Sequence, residues 1–330
     1  MQQNTYFMIK ELLIKLVIFF VLLIILDRGI GYFLEKIYFS QDHGYYYRTT
    51  YVFEKATPDI LILGASKASH HYVSNMIIDS LQESCLNAGE DGYFILYQEA
   101  TLRCMLKRKY FPKLLLLDLN DDEFEKNTYK TEDRLSILLP YYHRHPEIRD
   151  IVELKSPYEK YKVMSCLYTF NTVLLPALSG TLDLNNRKLV EQKSAGYVPL
   201  NEKWSGTFKK IESHGQTLDS IRIKAFEEII KLTRENNINL VVVVSPAYKI
   251  YNRGYNPTTE VLQKISQKNK IQFWNYINDT TYLNNKQYFK DVRHMNDDGA
   301  IIFTANIISK IKTLPGFQNL AVKTVAEPIK

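Results

Sequence analysis

Apolar residues along this chain fall into two patterns. One run, LLIKLVIFFVLLIIL from Leu12 to Leu26, is apolar on nearly every helical face, which marks a helix with no water-facing side rather than an amphipathic one. Beyond it, short continuous runs such as ILIL (60–63), LLLLDL (114–119) and INLVVVVSP (238–246) alternate with longer segments of helical period. The clearest of these are YFILYQEATLRCMLKR (93–108) and TLDSIRIKAFEEIIKLTRENN (217–237). Continuous apolar strands between helices predict a parallel sheet covered on both faces. CLNAG (85–89) and IQFWNYI (271–277) read as further strands, and a helix is expected from Ser74 with the serine as its cap. A closing helix starts at the Asn296-Asp297-Asp298 cap and carries Ile301, Ile302, Ala305, Ile308 and Ile311 on one face.

GIGYFL beyond Asp27 and Arg28 extends the first run towards the roughly 20 residues that a bilayer crossing needs. Lys10 and Lys15 at its start favour an N-terminus on the inner side, with Glu11 and Arg28 reducing the bias. No small-residue cleavage site follows, so an uncleaved single-pass anchor is expected, with the remaining chain on the outer face of the cytoplasmic membrane. The expected organisation is an anchor (1–34), a lead-in (35–57), an α/β domain (58–314) interrupted by an insertion at about 127–215, and a loose tail (315–330). The insertion breaks the strand–helix rhythm and is placed over the carboxyl edge of the sheet, where open α/β folds hold their ligands.

Composition narrows the partners. The chain has 330 residues, 45% hydrophobic and 24% charged, enough for an ample core, and a net charge of +6 without a long Lys/Arg block. A nucleic-acid partner would need a concentrated basic face, so none is expected. Cys85, Cys104 and Cys166 lack metal or redox spacing and read as free thiols, one disulfide remaining open. No metal or cofactor motif is present.

Two distant segments carry candidate chemistry. PDILILGASKASHHY (58–72) puts Ser66 on a glycine turn after a strand, and FKDVRHMNDDGA (289–300) sets Asp291 three residues before His294. A serine hydroxyl becomes a useful nucleophile when a histidine takes its proton and a carboxylate holds that histidine in the right tautomer. Taken singly, each segment also reads as a small-residue loop or a helix cap. His70 and His71 are expected to line a pocket, and Lys67 to be a solvated charge. His143 and His145 form an H-x-H pair, but adjacent histidines chelate one ion poorly and no metal site is assigned. Tyr141 and Tyr142, in the insertion, are candidates for stacking on sugar rings.

With these residues in order, the chain resembles the SGNH, or GDSL-type, hydrolase superfamily. It is similar to a membrane-anchored bacterial branch that acylates or deacylates envelope polysaccharides. Gly64-Ala65-Ser66 corresponds to the GDS-like motif, NAGEDG (87–92) to the second block, DLND (118–121) to the third and Asp291/His294 to D-x-x-H. The resemblance implies a three-layer α/β/α, flavodoxin-like parallel sheet. Ser66 would be the nucleophile, His294 the base and Asp291 its orienting acid. The oxyanion would be received by Ser66, Gly92 (Gly89 as the alternative) and Asn120. Ala65 and Asp118 depart from the family pattern, the latter weakening the role of Asn120. The implied activity is a serine esterase or O-acyltransferase on an acylated envelope glycan, without cofactor, with a membrane-bound acyl-donor protein as a partner for transfer. The alternative is a catalytically silent polysaccharide-binding component of an assembly complex.

Overall fold

Apolar character on all sides makes the first run part of a single long helix, α1, from Gln2 to Phe39. A computed structural model of the chain describes residues 2–42, 45–126, 134–171, 194–207, 209–211, 217–251 and 256–318. These form two compact units, one of residues 1–50 with 135–185, the other of 51–134 with 186–330.

In the first unit α1 is tied to the short helix Cys166–Phe170. The Asp27 carboxylate accepts from Ser165 Oγ at 2.5 Å and from the amides of Cys166 and Leu167 at 2.9 and 3.2 Å. It therefore helps Ser165 satisfy the amides that open that helix, groups that have no partner within it. Arg28 beside it donates to the Met164 carbonyl at 2.9 Å and meets Cys166 Sγ at 2.7 Å. Gly31 makes the crossing possible, because a Cβ there would fall 2.2 Å from that of Cys166. A cluster of Tyr38, Phe39, Tyr141 and Phe170 rings closes the unit, with centroids 5.0 to 5.9 Å apart in its T-shaped pairs.

The expected bilayer crossing needs correction: among the described residues no helix is long and apolar enough to cross a membrane. Charges are the reason. Between Lys15 and Asp27 the uncharged stretch covers only ~16 Å at 1.5 Å per residue, against a hydrocarbon core of ~30 Å. The side chains from Leu12 to Leu26 are nonetheless exposed throughout.

The second unit contains the sheet. Strands β1 (Ile60–Gly64), β2 (Cys85–Asn87), β3 (Leu114–Asp118), β4 (Asn239–Val244) and β5 (Gln272–Asn275) run parallel in the order β2-β1-β3-β4-β5. Chain direction along the sheet reverses between β1 and β3, the switch point at which open α/β sheets form a crevice. One face, with Ile60, Ile62, Leu114, Leu116, Val241 and Val243, packs against α2 (Ser66–His71), α3 (Ser74–Leu81) and a closing helix. Helices α4 (Ile95–Lys107) and α5 (Ser220–Glu235) pack together over the other face. α6 (Pro257–Asn269) contacts β5, and the closing helix is α7 (Asp297–Ile311). The result is a five-stranded parallel sheet with helices on both sides, accompanied by a two-stranded parallel pair, Lys209–Ile211 with Lys249–Tyr251.

Two local expectations change. α3 has Val73 as its cap residue, and Ser74 is buried within the first turn without capping. Asn296 does cap α7, accepting from Gly299 N at 3.1 Å. The buried face of α7, however, runs through Phe303, Ile307 and Ile311 with Ile308, leaving Ile301 and Ile302 partly exposed. This helix is apolar on two faces, so its period alone did not select the one that meets the sheet.

Candidate active site

The register of the sheet places the site. Gly64 pairs with Asp118, so Ser66 and Asn120 each stand two residues past neighbouring strand ends. A Cβ at Gly64 would lie 2.4 Å from the Asp118 carbonyl oxygen, so glycine is what lets the β1 turn pass this close to β3. The chain then enters α2 with Ser66 as its first residue, and the Ser66 amide has no acceptor inside the helix.

Ser66 Oγ lies 2.7 Å from His294 Nε2. His294 Nδ1 lies 2.9 and 3.0 Å from the two oxygens of Asp291, and Asp291 Oδ1 also accepts from the amides of Arg293 and His294 at 2.7 and 2.9 Å. Partial burial works to raise the Asp291 pKa. The bond and charge of His294 and the two backbone donors outweigh it, holding the carboxyl at about 2. The carboxylate thus fixes a proton on Nδ1 and leaves Nε2 able to accept one from the serine.

The histidines after Ser66 divide the work. His71 is fully buried, accepts from Met295 N through Nε2 at 2.9 Å and must therefore donate through Nδ1 to Ser245 Oγ at 3.1 Å. Burial first, then the charges of Lys67, His294 and His70, push its pKa well down, so it is a neutral brace between α2 and the His294 loop. It does not line a pocket. His70 is nearly buried, its ring edge-on to that of His294 at 5.6 Å. Its Nδ1 faces the Val198 carbonyl at 2.7 Å and its Nε2 faces Asp91 Oδ2 at 3.3 Å. Both neighbours are acceptors, and each bond takes an N–H of the ring. Burial raises the Asp91 carboxyl, but the bond and charge of His70 overcome that and lower it.

Lys67 is buried rather than solvated, and its ammonium donates to the Ser245 carbonyl at 3.2 Å, the direction that holds the turn. Asp118 turns inward, accepts from Ser245 N at 3.2 Å and is pushed up by burial against the charge of Lys67.

On the oxyanion side, Gly89 N donates to Asn87 Oδ1 at 3.0 Å and is engaged. Gly92 sits on a turn closed by Tyr93 N to Glu90 O and lies against the Arg134 guanidinium. Asn120 is nearly buried, its amide and its Nδ2 both donating at 3.3 Å to Glu123 Oε2. Glu123 Oε1 accepts from Ile95 N, the start of α4, at 2.7 Å. Burial pushes Glu123 up to about 7 in spite of Arg222 and these donors. Sequence reasoning did not single out Glu123, although N-D-D-E has the spacing of a capping box, in which the glutamate reaches back to the first residue's amide. Arg293, also not singled out, donates to Asp122 Oδ2 at 2.7 Å and clips the histidine loop to the loop after β3.

Tyr141 and Tyr142 belong to the first unit. Tyr141 is fully buried in the first unit and its hydroxyl meets Thr50 Oγ1 at 2.6 Å, while Tyr142 donates to Glu153 at 2.8 Å and stacks with Arg149. Tyr38 and Phe39 of α1 supply the rings that pack on Tyr141. The part of the expected insertion that does reach the site is 195–204. Val198 N donates to Ser69 O at 3.0 Å, Asn87 N to Ala195 O at 2.9 Å and Trp204 N to Phe289 O at 2.8 Å.

No family model and no curated protein matches the chain. Among solved structures it is similar to a protein of Bacteroides fragilis NCTC 9343 assigned as an acylhydrolase, at 12% identity and a TM-score of 0.34, covering 80% of this chain and 94% of that one. It is also similar to a lipase/acylhydrolase of Enterococcus faecalis, at 11% identity and a TM-score of 0.36, covering 77% and 95%. Likeness at this distance carries no function. The chemistry has to rest on the site itself.

Proposed function

We propose that the protein is a serine-dependent acyl-ester hydrolase or acyltransferase of the SGNH type. The observation that carries this reading is the unbroken chain of contacts from Ser66 Oγ through His294 to Asp291. Ser66 Oγ attacks the ester carbonyl carbon while His294 Nε2 takes its proton, and the imidazolium is stabilised by Asp291. The tetrahedral oxygen is received by the Ser66 and Gly92 amides and the second N–H of the Asn120 amide, each donor contributing ~3 kcal/mol in the transition state. Collapse breaks the bond to the alcohol, which leaves with the proton from His294. Water or a sugar hydroxyl then returns the acyl group by the reverse steps.

Acyl esters of an envelope or exported polysaccharide are the proposed substrates, and the apolar belt of α1 is proposed to sit in the hydrocarbon of a lipid bilayer. Exposure of that belt on all sides supports the second statement, since water is a poor solvent for such a surface. The test is labelling by a fluorophosphonate probe, together with hydrolysis of small acyl esters. Wild type should label and turn over, and Ser66→Ala should do neither while melting normally. A well-folded wild type that neither labels nor hydrolyses would sink the proposal.

A further inference from the structure

Among the described residues outside α1, the longest run of exposed large apolar side chains lies in one segment. Between residues 154 and 167 the first unit presents Leu154, Tyr158, Tyr161, Met164 and Leu167, with Tyr158 68%, Tyr161 60% and Met164 63% exposed. This cluster is held rigidly from beneath. Glu159, fully buried, accepts from Tyr168 Oη at 2.6 Å, Ser156 Oγ at 2.8 Å and Lys162 Nζ at 3.1 Å, so the turn that carries the cluster is fixed rather than loose. The same segment is bolted to α1 where the apolar belt ends, through Asp27 to Ser165 and Cys166 and through Arg28 to Met164. Met164 therefore stands at the level of the first charges beyond the belt.

We infer that residues 154–167 form a collar that rests in the headgroup layer of the bilayer entered by α1, with Tyr158, Tyr161, Met164 and Leu167 reaching towards the acyl chains. This rests on the proposed lipid seat of α1 and adds a second, sequence-distant contact to it. Three features favour lipid as the occupant. The cluster is continuous with the belt through the Asp27 and Arg28 bonds. Its composition is that of an interfacial belt, where a ring with one wet end is at home. Its exposed cation suits an anionic surface: Lys160 lies over the Tyr161 ring at 5.0 Å, whereas Lys162 is engaged by Glu159. The bonds to Asp27 also relieve the charge that interrupts α1, because its oxygens are already occupied by donors of the collar.

The experiment uses the full chain carrying Cys166→Ser, which leaves Cys85 and Cys104 buried. A polarity-sensitive dye is attached through Met164→Cys, Val21→Cys or Lys231→Cys in separate preparations, and vesicles of phosphatidylcholine with phosphatidylglycerol are added. Blue shifts at positions 21 and 164 with none at 231, on the exposed side of α5, are the expected result. A shift at 21 without one at 164 overturns the collar and leaves the lipid seat of α1 standing. No shift at either position overturns both. Equal shifts at all three mean indiscriminate adsorption and also overturn the collar.

Discussion

Replacing Asp291 by asparagine keeps the shape of the side chain and reverses one hydrogen bond. Asp291 Oδ1 accepts from Arg293 N at 2.7 Å and His294 N at 2.9 Å, so in Asp291→Asn the amide oxygen must stay on those two donors. Its nitrogen then takes the place of Oδ2, 2.9 Å from His294 Nδ1, and donates to it. The ring is biased towards the tautomer with hydrogen on Nε2, which faces Ser66 Oγ at 2.7 Å and can no longer take its proton, while the amide oxygen 3.0 Å from Nδ1 competes for the other tautomer. The expected loss is ~10⁴-fold in kcat, or ~5 kcal/mol of barrier. Asp291→Ala imposes no tautomer and should be the faster of the two variants. Initial rates on p-nitrophenyl acetate, with melting curves to confirm folding, give the comparison. If the alanine variant is slower, or the asparagine variant keeps its kcat within about tenfold of wild type, the argument from bond direction is wrong.

Three further outcomes are expected. His71→Ala removes the acceptor of Met295 N and should cost ~2 kcal/mol in urea unfolding, with kcat falling more than KM changes because the His294 loop loses its brace. The depressed Asp291 pKa contributes stability that is present above the ordinary carboxyl value of 3.8 and disappears as pH falls towards about 2. Because Asp291 is 43% exposed, screening limits it to ~1 kcal/mol, and Asp291→Ala should flatten only that acid limb of a stability–pH curve. Gly31→Leu should loosen the first unit, seen as faster proteolysis within residues 135–171, while esterase activity measured on the intact chain reports separately on the second unit.

How much of this was legible in the sequence depends on the range of the forces involved. β1, β3 and β4 could be read because strands buried on both faces must be apolar at every position, a local property. Ser66, Asp291 and His294 could be read because each lies on a short segment with its own turn and cap signals. Tyr141 could not, because its burial is decided by Tyr38, Phe39 and Phe170, two of which lie a hundred residues earlier. Lys67 looked solvated because nothing next to it in the chain announces the Ser245 carbonyl. The engagement of the Gly89 amide by the Asn87 side chain was not legible, because it depends on a side-chain turn and not on spacing. Glu123 lay between these cases, with a spacing that was visible but the burial that gives it meaning coming from α4 and α5.

The serine and its histidine stand 228 positions apart in the chain. Because ribosomes deliver a protein from its amino end, Ser66 emerges and its β1 turn can form long before residues 289–300 exist outside the exit tunnel. Until α7 docks and Met295 engages His71, the serine is an ordinary alcohol. A chain that has not yet delivered residues 289–300 therefore holds its serine without the histidine, and on the proposed mechanism such an incompletely folded copy is a harmless one.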